Sequence, residues 1–234
     1  QILKQFRKQS NMINPIIVDC TSSQSVAEAY VDFFQAGYHI VAANKKANTL
    51  SMDYFRKLKR LAIQCNRQFN YETNVGAGLP VIDTFRNLLR AGDKLLKFEG
   101  ILSGSMSYIF GKLDDGTPLS EAVIKAKNKG FTEPDPRDDL SGMDIARKVL
   151  IIAREAGFAL ELSDVKIDSL LTDELINCES VEAFMNQLPN LDESIHELNQ
   201  QAQSESCVLR YIGSVSEHEC SVKIVKVPAK SALY

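Results

Sequence analysis

The first seventy residues alternate short apolar runs with amphipathic stretches, and few folds accommodate that order. Pro15-Ile-Ile-Val-Asp19 is a continuous apolar run of the kind found in buried parallel strands. Cys20-Thr-Ser-Ser23 follows as a polar turn able to cap a helix. That helix would turn Val26, Tyr30, Phe33 and Phe34 inward and end at Gly37. Residues 39–43 read as a second strand leading into Asn44-Lys45-Lys46, residues 51–65 as a helix, and residues 69–72 as a third strand. This βαβαβ pattern predicts half of a doubly wound, Rossmann-type sheet, whose ligands bind beyond the carboxyl ends of the strands. Thr21, Ser22 and residues 44–46 fall there, although Lys45 and Lys46 read equally as solvated loop lysines.

The usual glycine-rich turn after the first strand of such a sheet is absent, and the chain opens instead on the polar residues 1–14. Asn74-Val-Gly-Ala-Gly-Leu-Pro80 offers GxG without the third glycine, so it reads as a turn into a helix. Pro80 would take the first helical position, with Val81, Phe85, Leu88 and Leu89 inward and Gly92 as the stop. The carbonyls of so flexible a backbone are also suited to a cation.

From residue 94 the pattern changes. Residues 95–102 read as a strand, and Ser103-Gly-Ser105 turns into a short helix carrying Met106, Tyr108, Ile109 and Phe110. A turn or strand is expected near 165–167, helices near 181–187 and 191–203, and a hairpin from 207–215 and 220–227 turning at Glu217-His218. The predicted fold class is α/β plus α+β. A partial Rossmann-type nucleotide-binding domain (residues 1–72) precedes a second domain (residues 73–234) with a mixed sheet and helices. Both chain ends read as interior to a longer protein.

The densest chemistry lies in residues 130–148, GFTEPDPRDDLSGMDIARK. Pro134 and Pro136 hold the first half extended. From Ser141 onward Ile145, Val149, Ile152 and Ala153 recur at helical spacing, ending before Gly157. Asp144 and Lys148 are four apart and so share a helix face. The plain reading of the two is a surface ion pair. The sharper one is a pocket for a small zwitterion: carboxylates hold its ammonium group, and a lysine at the edge of the core, its pKa lowered, serves as proton donor.

Composition narrows the partners. With 44 % hydrophobic and 24 % charged residues the chain is globular, and a net charge of −3 without a basic patch argues against nucleic acid. No apolar run approaches a membrane span, and residues 1–10 are not a signal peptide. Five scattered cysteines without CxxC spacing support neither disulfides nor zinc, and a reducing cytoplasm is the expected location.

IIVDCTSS at 16–23, AANKKAN at 42–48, YETNVGAGLP at 71–80, GILSGSMSYIFGKL at 100–113 and the 130–148 motif together resemble homoserine dehydrogenase. They look most like the dehydrogenase part of the bifunctional aspartokinase–homoserine dehydrogenases. The resemblance implies NAD(P)-dependent interconversion of L-homoserine and L-aspartate 4-semialdehyde, in threonine and methionine biosynthesis. It implies Lys148 as proton donor and Lys45 as a second catalytic lysine near cofactor and substrate. Gly130, Glu133, Asp139 and Asp144 are implied substrate contacts, and Thr21, Ser22, Lys45 and Lys46 cofactor contacts. Glu72 with the backbone of Val75, Ala77 and Leu79 is implied as a structural sodium site. Residues 73–234 are implied as the substrate-binding, catalytic and dimerisation domain, and a homodimer or higher homo-oligomer is implied, with the C-terminal hairpin pairing across a two-fold axis. Lacking the glycine-rich turn, residues 1–234 alone are expected to bind NAD(P) poorly.

Two other readings compete. One is a semialdehyde dehydrogenase with Cys20 as nucleophile, for which no histidine motif is present; a buried structural cysteine explains Cys20 better. The other is a non-catalytic regulatory or oligomerisation module of an aspartate-pathway protein, which has no need of Lys148 beside a carboxylate cluster.

Overall fold

The structure, a computed structural model, describes residues 5–6 and 12–234, so most of the polar opening stretch (1–4 and 7–11) lies outside the described residues. The chain packs as two compact units, one of residues 1–95 with 150–164 and the other of residues 96–149 with 165–234.

In the first unit β1 (Ile16–Asp19), β2 (His39–Ala42) and β3 (Phe69–Asn70) form a parallel sheet in the order β1-β2-β3. Asp19 stands opposite Ala42, and Ile40 opposite Phe69. The helix expected after Ser23 forms as α1 (Gln24–Glu28) and α2 (Tyr30–Gln35), divided at Ala29, with the Ser23 hydroxyl accepting from the Val26 N–H. Next come α3 (Lys46–Thr49) and α4 (Met52–Gln64), the latter capped by Ser51. Tyr30 and Phe34 set their rings edge-on against Phe69 at 5.7 and 5.9 Å, forming the centre of this core.

Three local expectations change. β1 is buried on one face only: Ile16 and Val18 are 59 % and 64 % exposed, because an apolar run marks a strand without saying how many of its faces are covered. β3 stops at Asn70, where the chain tightens into a 3₁₀ turn over Glu72–Asn74. α5 (Val81–Arg90) starts one residue late, with Pro80 as its N-cap; Ile82 is fully buried and Leu88 half exposed. The cause is Glu72, whose carboxylate accepts the N–H groups of Ile82 and Asp83 at 2.7 and 3.0 Å and so sets where the helix begins.

The second unit begins with β4 (Lys97–Gly100), shorter than expected, and α6 (Gly104–Asp114). α7 (Leu119–Asn128) follows, a helix that the periodicity did not mark; Asp192 accepts its Ser120 N–H at 2.7 Å and Ser120 hydroxyl at 2.6 Å. α8 (Arg137–Leu140) makes a helical turn in the half expected to be extended, since Pro136, at its N-cap with φ −63, suits a helix start. The helix predicted from Ser141 follows as α9 (Met143–Glu155). Gly142 divides them with φ +75, where a Cβ would also run into the Tyr211 hydroxyl. Ile145, Val149, Ile152 and Ala153 are all buried, as their spacing required.

Then come β5 (Lys166–Ile167), α10 (Asp173–Ile176), α11 (Val181–Gln187), α12 (Asp192–Ser204), β6 (Cys207–Ser216) and β7 (Cys220–Pro228). The mixed sheet runs β4-β6-β7-β5, with only β5 and β7 parallel, and β6 and β7 make the expected hairpin. α9 approaches β6 at Gly213, where a Cβ would lie 3.0 Å from Ile145 and Leu102 side-chain carbons.

Candidate active site

In the second unit Lys148 lies on α9 with its side chain 16 % exposed. Its Nζ donates to Asp144 Oδ2 at 2.7 Å and to the Leu102 carbonyl at 2.6 Å. The i,i+4 pair is present, yet it is no ordinary surface pair, because a backbone carbonyl just past β4 holds the ammonium group as well. Two of its three N–H groups are thus engaged.

Ser103 caps α6 through its hydroxyl, which lies 2.8 Å from the Ser105 hydroxyl. Ser105 in turn donates to Asp139 Oδ1 at 2.6 Å, and the other Asp139 oxygen accepts the Glu133 N–H at 2.8 Å. Burial raises the Asp139 carboxyl above its ordinary range; the bonds from Ser105 and Glu133 work against this, while Asp144 and Asp138 add to it. Asp139 therefore fastens the 130–133 loop to α6. Farther along that loop Arg137 forks onto Asp135 and donates to the Cys178 carbonyl at 2.7 Å, adding stiffness to that of the two prolines. Gly130 (φ +70) and Glu133 are exposed at the loop surface. Bonds thus connect Glu133, Asp139, Ser105, Ser103 and, through the Leu102–Ser103 peptide, Lys148 and Asp144. In the sequence the two serines were legible only as a turn into a short helix.

The first unit assembles its own polar group at the strand ends. Asp19, buried at the end of β1, accepts from the Tyr30 hydroxyl at 2.5 Å, the Thr21 N–H at 2.8 Å and Asn44 Nδ2 at 3.0 Å. Burial opposes its charge, but these bonds outweigh burial and hold its carboxyl below the usual value. Asn44 also donates to the Ser23 carbonyl and accepts the Lys46 N–H. One inward carboxylate therefore organises both turns that carry Thr21, Ser22, Lys45 and Lys46. Strand alternation that turns Asp19 inward turns Cys20 outward, so Cys20 is exposed and the expected buried structural cysteine is not observed.

Glu72, besides capping α5, precedes a turn with Gly76 and Ala77 at positive φ. The Leu79 carbonyl in that turn accepts the Val81 N–H at 2.8 Å. Carboxylate and carbonyl oxygens remain the donor type that suits a hard cation. Among the described residues no helix is long and apolar enough to cross a membrane.

Residues 80–234 match the family model of homoserine dehydrogenase, and residues 3–72 match the homoserine dehydrogenase NAD binding domain. The chain belongs to the homoserine dehydrogenase family. A bifunctional aspartokinase/homoserine dehydrogenase of Haemophilus influenzae is 52 % identical over 233 residues, covering 100 % of this chain and 29 % of the relative. A homoserine dehydrogenase of Paracoccidioides brasiliensis is 38 % identical, covering 91 % of this chain and 59 % of the relative. The chain thus spans less than a third of the bifunctional relative's length. A solved Candida auris protein of unknown function aligns with TM-score 0.92 and 37 % identity, over 99 % of this chain and 67 % of the other. A putative homoserine dehydrogenase from Archaeoglobus fulgidus shares the fold at TM-score 0.75 and 24 % identity, over 93 % of this chain and 61 % of that one. The NAD binding match ends at residue 72, where the chain enters the 3₁₀ turn, whereas packing keeps residues 73–95 and 150–164 with the NAD binding unit.

Proposed function

We propose that the complete protein carrying this chain is an NAD(P)-dependent homoserine dehydrogenase, interconverting L-homoserine and L-aspartate 4-semialdehyde for threonine and methionine synthesis. The observation that carries this reading is Lys148, held by Asp144 and the Leu102 carbonyl, on a chain that the family matches over nearly its whole length. With two N–H groups engaged, Lys148 keeps one for the substrate oxygen: it protonates the developing alkoxide in aldehyde reduction and accepts that proton back in alcohol oxidation. Asp144, Glu133 and the Gly130 carbonyl hold the substrate ammonium by charge-assisted bonds, with Asp139 keeping the Glu133 backbone in place. The nicotinamide coenzyme supplies or takes up the hydride. Exposed hydroxyls of Thr21 and Ser22 at the end of β1, with Lys45 and Lys46 after β2, fit the phosphates and hydroxyls of either NAD or NADP. Lys45 is in this reading the second catalytic lysine and supplies positive charge beside the coenzyme.

Homoserine-dependent formation of reduced nicotinamide by the complete protein tests this. A folded, coenzyme-binding protein that leaves homoserine untouched would sink the reading. Glu72 and the carbonyls of Val75, Ala77 and Leu79 hold a sodium ion in this account. Exchanging sodium for choline at equal ionic strength should then lower the melting temperature, and no change removes the ion. The β6–β7 hairpin is the surface through which two copies pair, for which sedimentation of a monomer would be the disproof.

A further inference from the structure

Arg154 looks on sequence like any helix arginine, but its side chain is fully buried. All five of its N–H groups have acceptors. Nη1 donates to the carbonyls of Asn48 at 2.8 Å and Leu50 at 2.7 Å. Nε and Nη2 donate to the Leu160 carbonyl at 3.1 and 2.9 Å, and Nη2 also donates to Glu161 Oε2 at 3.0 Å. The guanidinium carbon stands 5.5 Å from the centre of the Phe55 ring. The other Glu161 oxygen accepts the N–H of Met52, the first residue of α4, at 2.8 Å. One ion pair therefore holds the last carbonyls around α3 and the first N–H of α4.

A four-residue helix cannot keep its own geometry, since nucleation is unfavourable and most of its backbone groups are terminal. The position of α3 is set from outside. Besides Arg154, the Asn48 side chain donates to Asn74 Oδ1 at 2.9 Å, and Asn74 donates to the Ala42 carbonyl at 2.8 Å. At the opposite end of α3 from the arginine stands its N-cap, Lys45, whose carbonyl accepts the Asn48 N–H at 3.1 Å and the Thr49 hydroxyl at 3.0 Å. Burying a guanidinium carries a large desolvation cost, whereas exposed helix carbonyls are satisfied by water without one.

We infer that Arg154, with Glu161, is a positioning residue that holds α3 so that Lys45 is presented at the carboxyl end of β2. The inference rests on the proposed role of Lys45 and deepens it. Lysine cannot replace this arginine, because three rotatable donors do not reproduce a planar fork of five.

The test is a mutant cycle in the complete protein, using R154K, K45M and their double variant, with E161A as a milder break should R154K fail to fold. R154K should lower kcat/KM about 10-fold and K45M about 100-fold, with the double variant no worse than K45M. Amide exchange at Asn48 and Leu50, whose N–H groups close α3, should quicken in R154K and E161A by more than the accompanying drop in melting temperature accounts for. Losses that multiply in the double variant, or parental kcat/KM in both R154K and E161A, overturn the inference. So does unchanged exchange at those two amides. Normal turnover by K45M overturns the reading of Lys45 and the inference with it, whereas multiplying losses leave the Lys45 reading standing.

Discussion

Replacing Lys148 by alanine in the complete protein should reduce kcat by about 10²–10⁴-fold, the usual contribution of a positioned general acid, and leave coenzyme affinity within about twofold. The asymmetry follows from where the residue sits. Lys148 bonds to Asp144 and to the Leu102 carbonyl, both in the second unit, and Thr21, Ser22, Lys45 and Lys46 belong to the first. Alanine removes the proposed proton donor and leaves in place the strand ends that carry the proposed coenzyme contacts. Lys148→Arg separates two explanations of the same loss. Arginine keeps the charge and can reach a carbonyl, yet it does not release a proton at working pH, so it should stay inactive. Recovery with arginine would make charge, not proton transfer, the role of residue 148. Near-parental turnover in the alanine variant would remove Lys148 from the chemistry altogether.

Glu155, at the far end of α9, should give the largest loss of stability. Its carboxylate is nearly buried and accepts from Arg86 Nε at 2.7 Å, Arg86 Nη2 at 3.2 Å, Lys59 Nζ at 2.9 Å and the Tyr71 hydroxyl. Lys59 and Arg86 also stand over the Tyr71 ring at 5.1 and 4.6 Å from its centre. Glu155→Ala leaves two cations facing each other in the space of one carboxylate, at a cost of about 3–5 kcal/mol. Arg86 and Lys59 retain some access to water, which places the expected value near the lower figure.

The same group gives a pH signature. Burial alone would raise the Glu155 pKa, but Arg86, Lys59 and Tyr71 outweigh it and bring it from 4.5 to about 2. Lys59 is lowered, burial prevailing over its attraction to Glu155. A carboxyl depressed in the native state binds fewer protons there than in the unfolded chain. Its contribution, on the order of 3 kcal/mol, is therefore complete above about pH 4.5 and is lost as pH falls towards 2. Urea midpoints of the parent should drop through that window more steeply than those of Glu155→Gln. Parallel profiles would show that the cluster is not linked to folding.

Whatever depends on neighbours a few residues apart was legible in the chain itself. Strand–helix alternation marked the parallel sheet of the first unit. The stripe of Ile145, Val149, Ile152 and Ala153 marked the core face of α9, and alternation marked the β6–β7 hairpin. Asp144 and Lys148 could be paired by counting four residues along a helix. The motifs in residues 16–148 were enough to place the chain in its family.

Other features were decided only when distant segments met. Asp19 takes Asn44 from 25 residues away, Ser105 reaches Asp139 across 34, and Lys148 reaches Leu102 across 46. Arg154 finds the Asn48 carbonyl 106 residues back. Such partners leave no periodic trace, because a hydrogen bond specifies two atoms and the folded chain alone sets which two are adjacent. The same holds for the start of α5, displaced by the Glu72 carboxylate, and for the number of covered faces on β1. Sequence determined most of the elements, the apolar faces of the strongly periodic ones and the residue types available for chemistry, since these follow from local sterics and burial. Tertiary structure decided which polar groups share a site and which charges are buried, since both depend on desolvation by residues far along the chain.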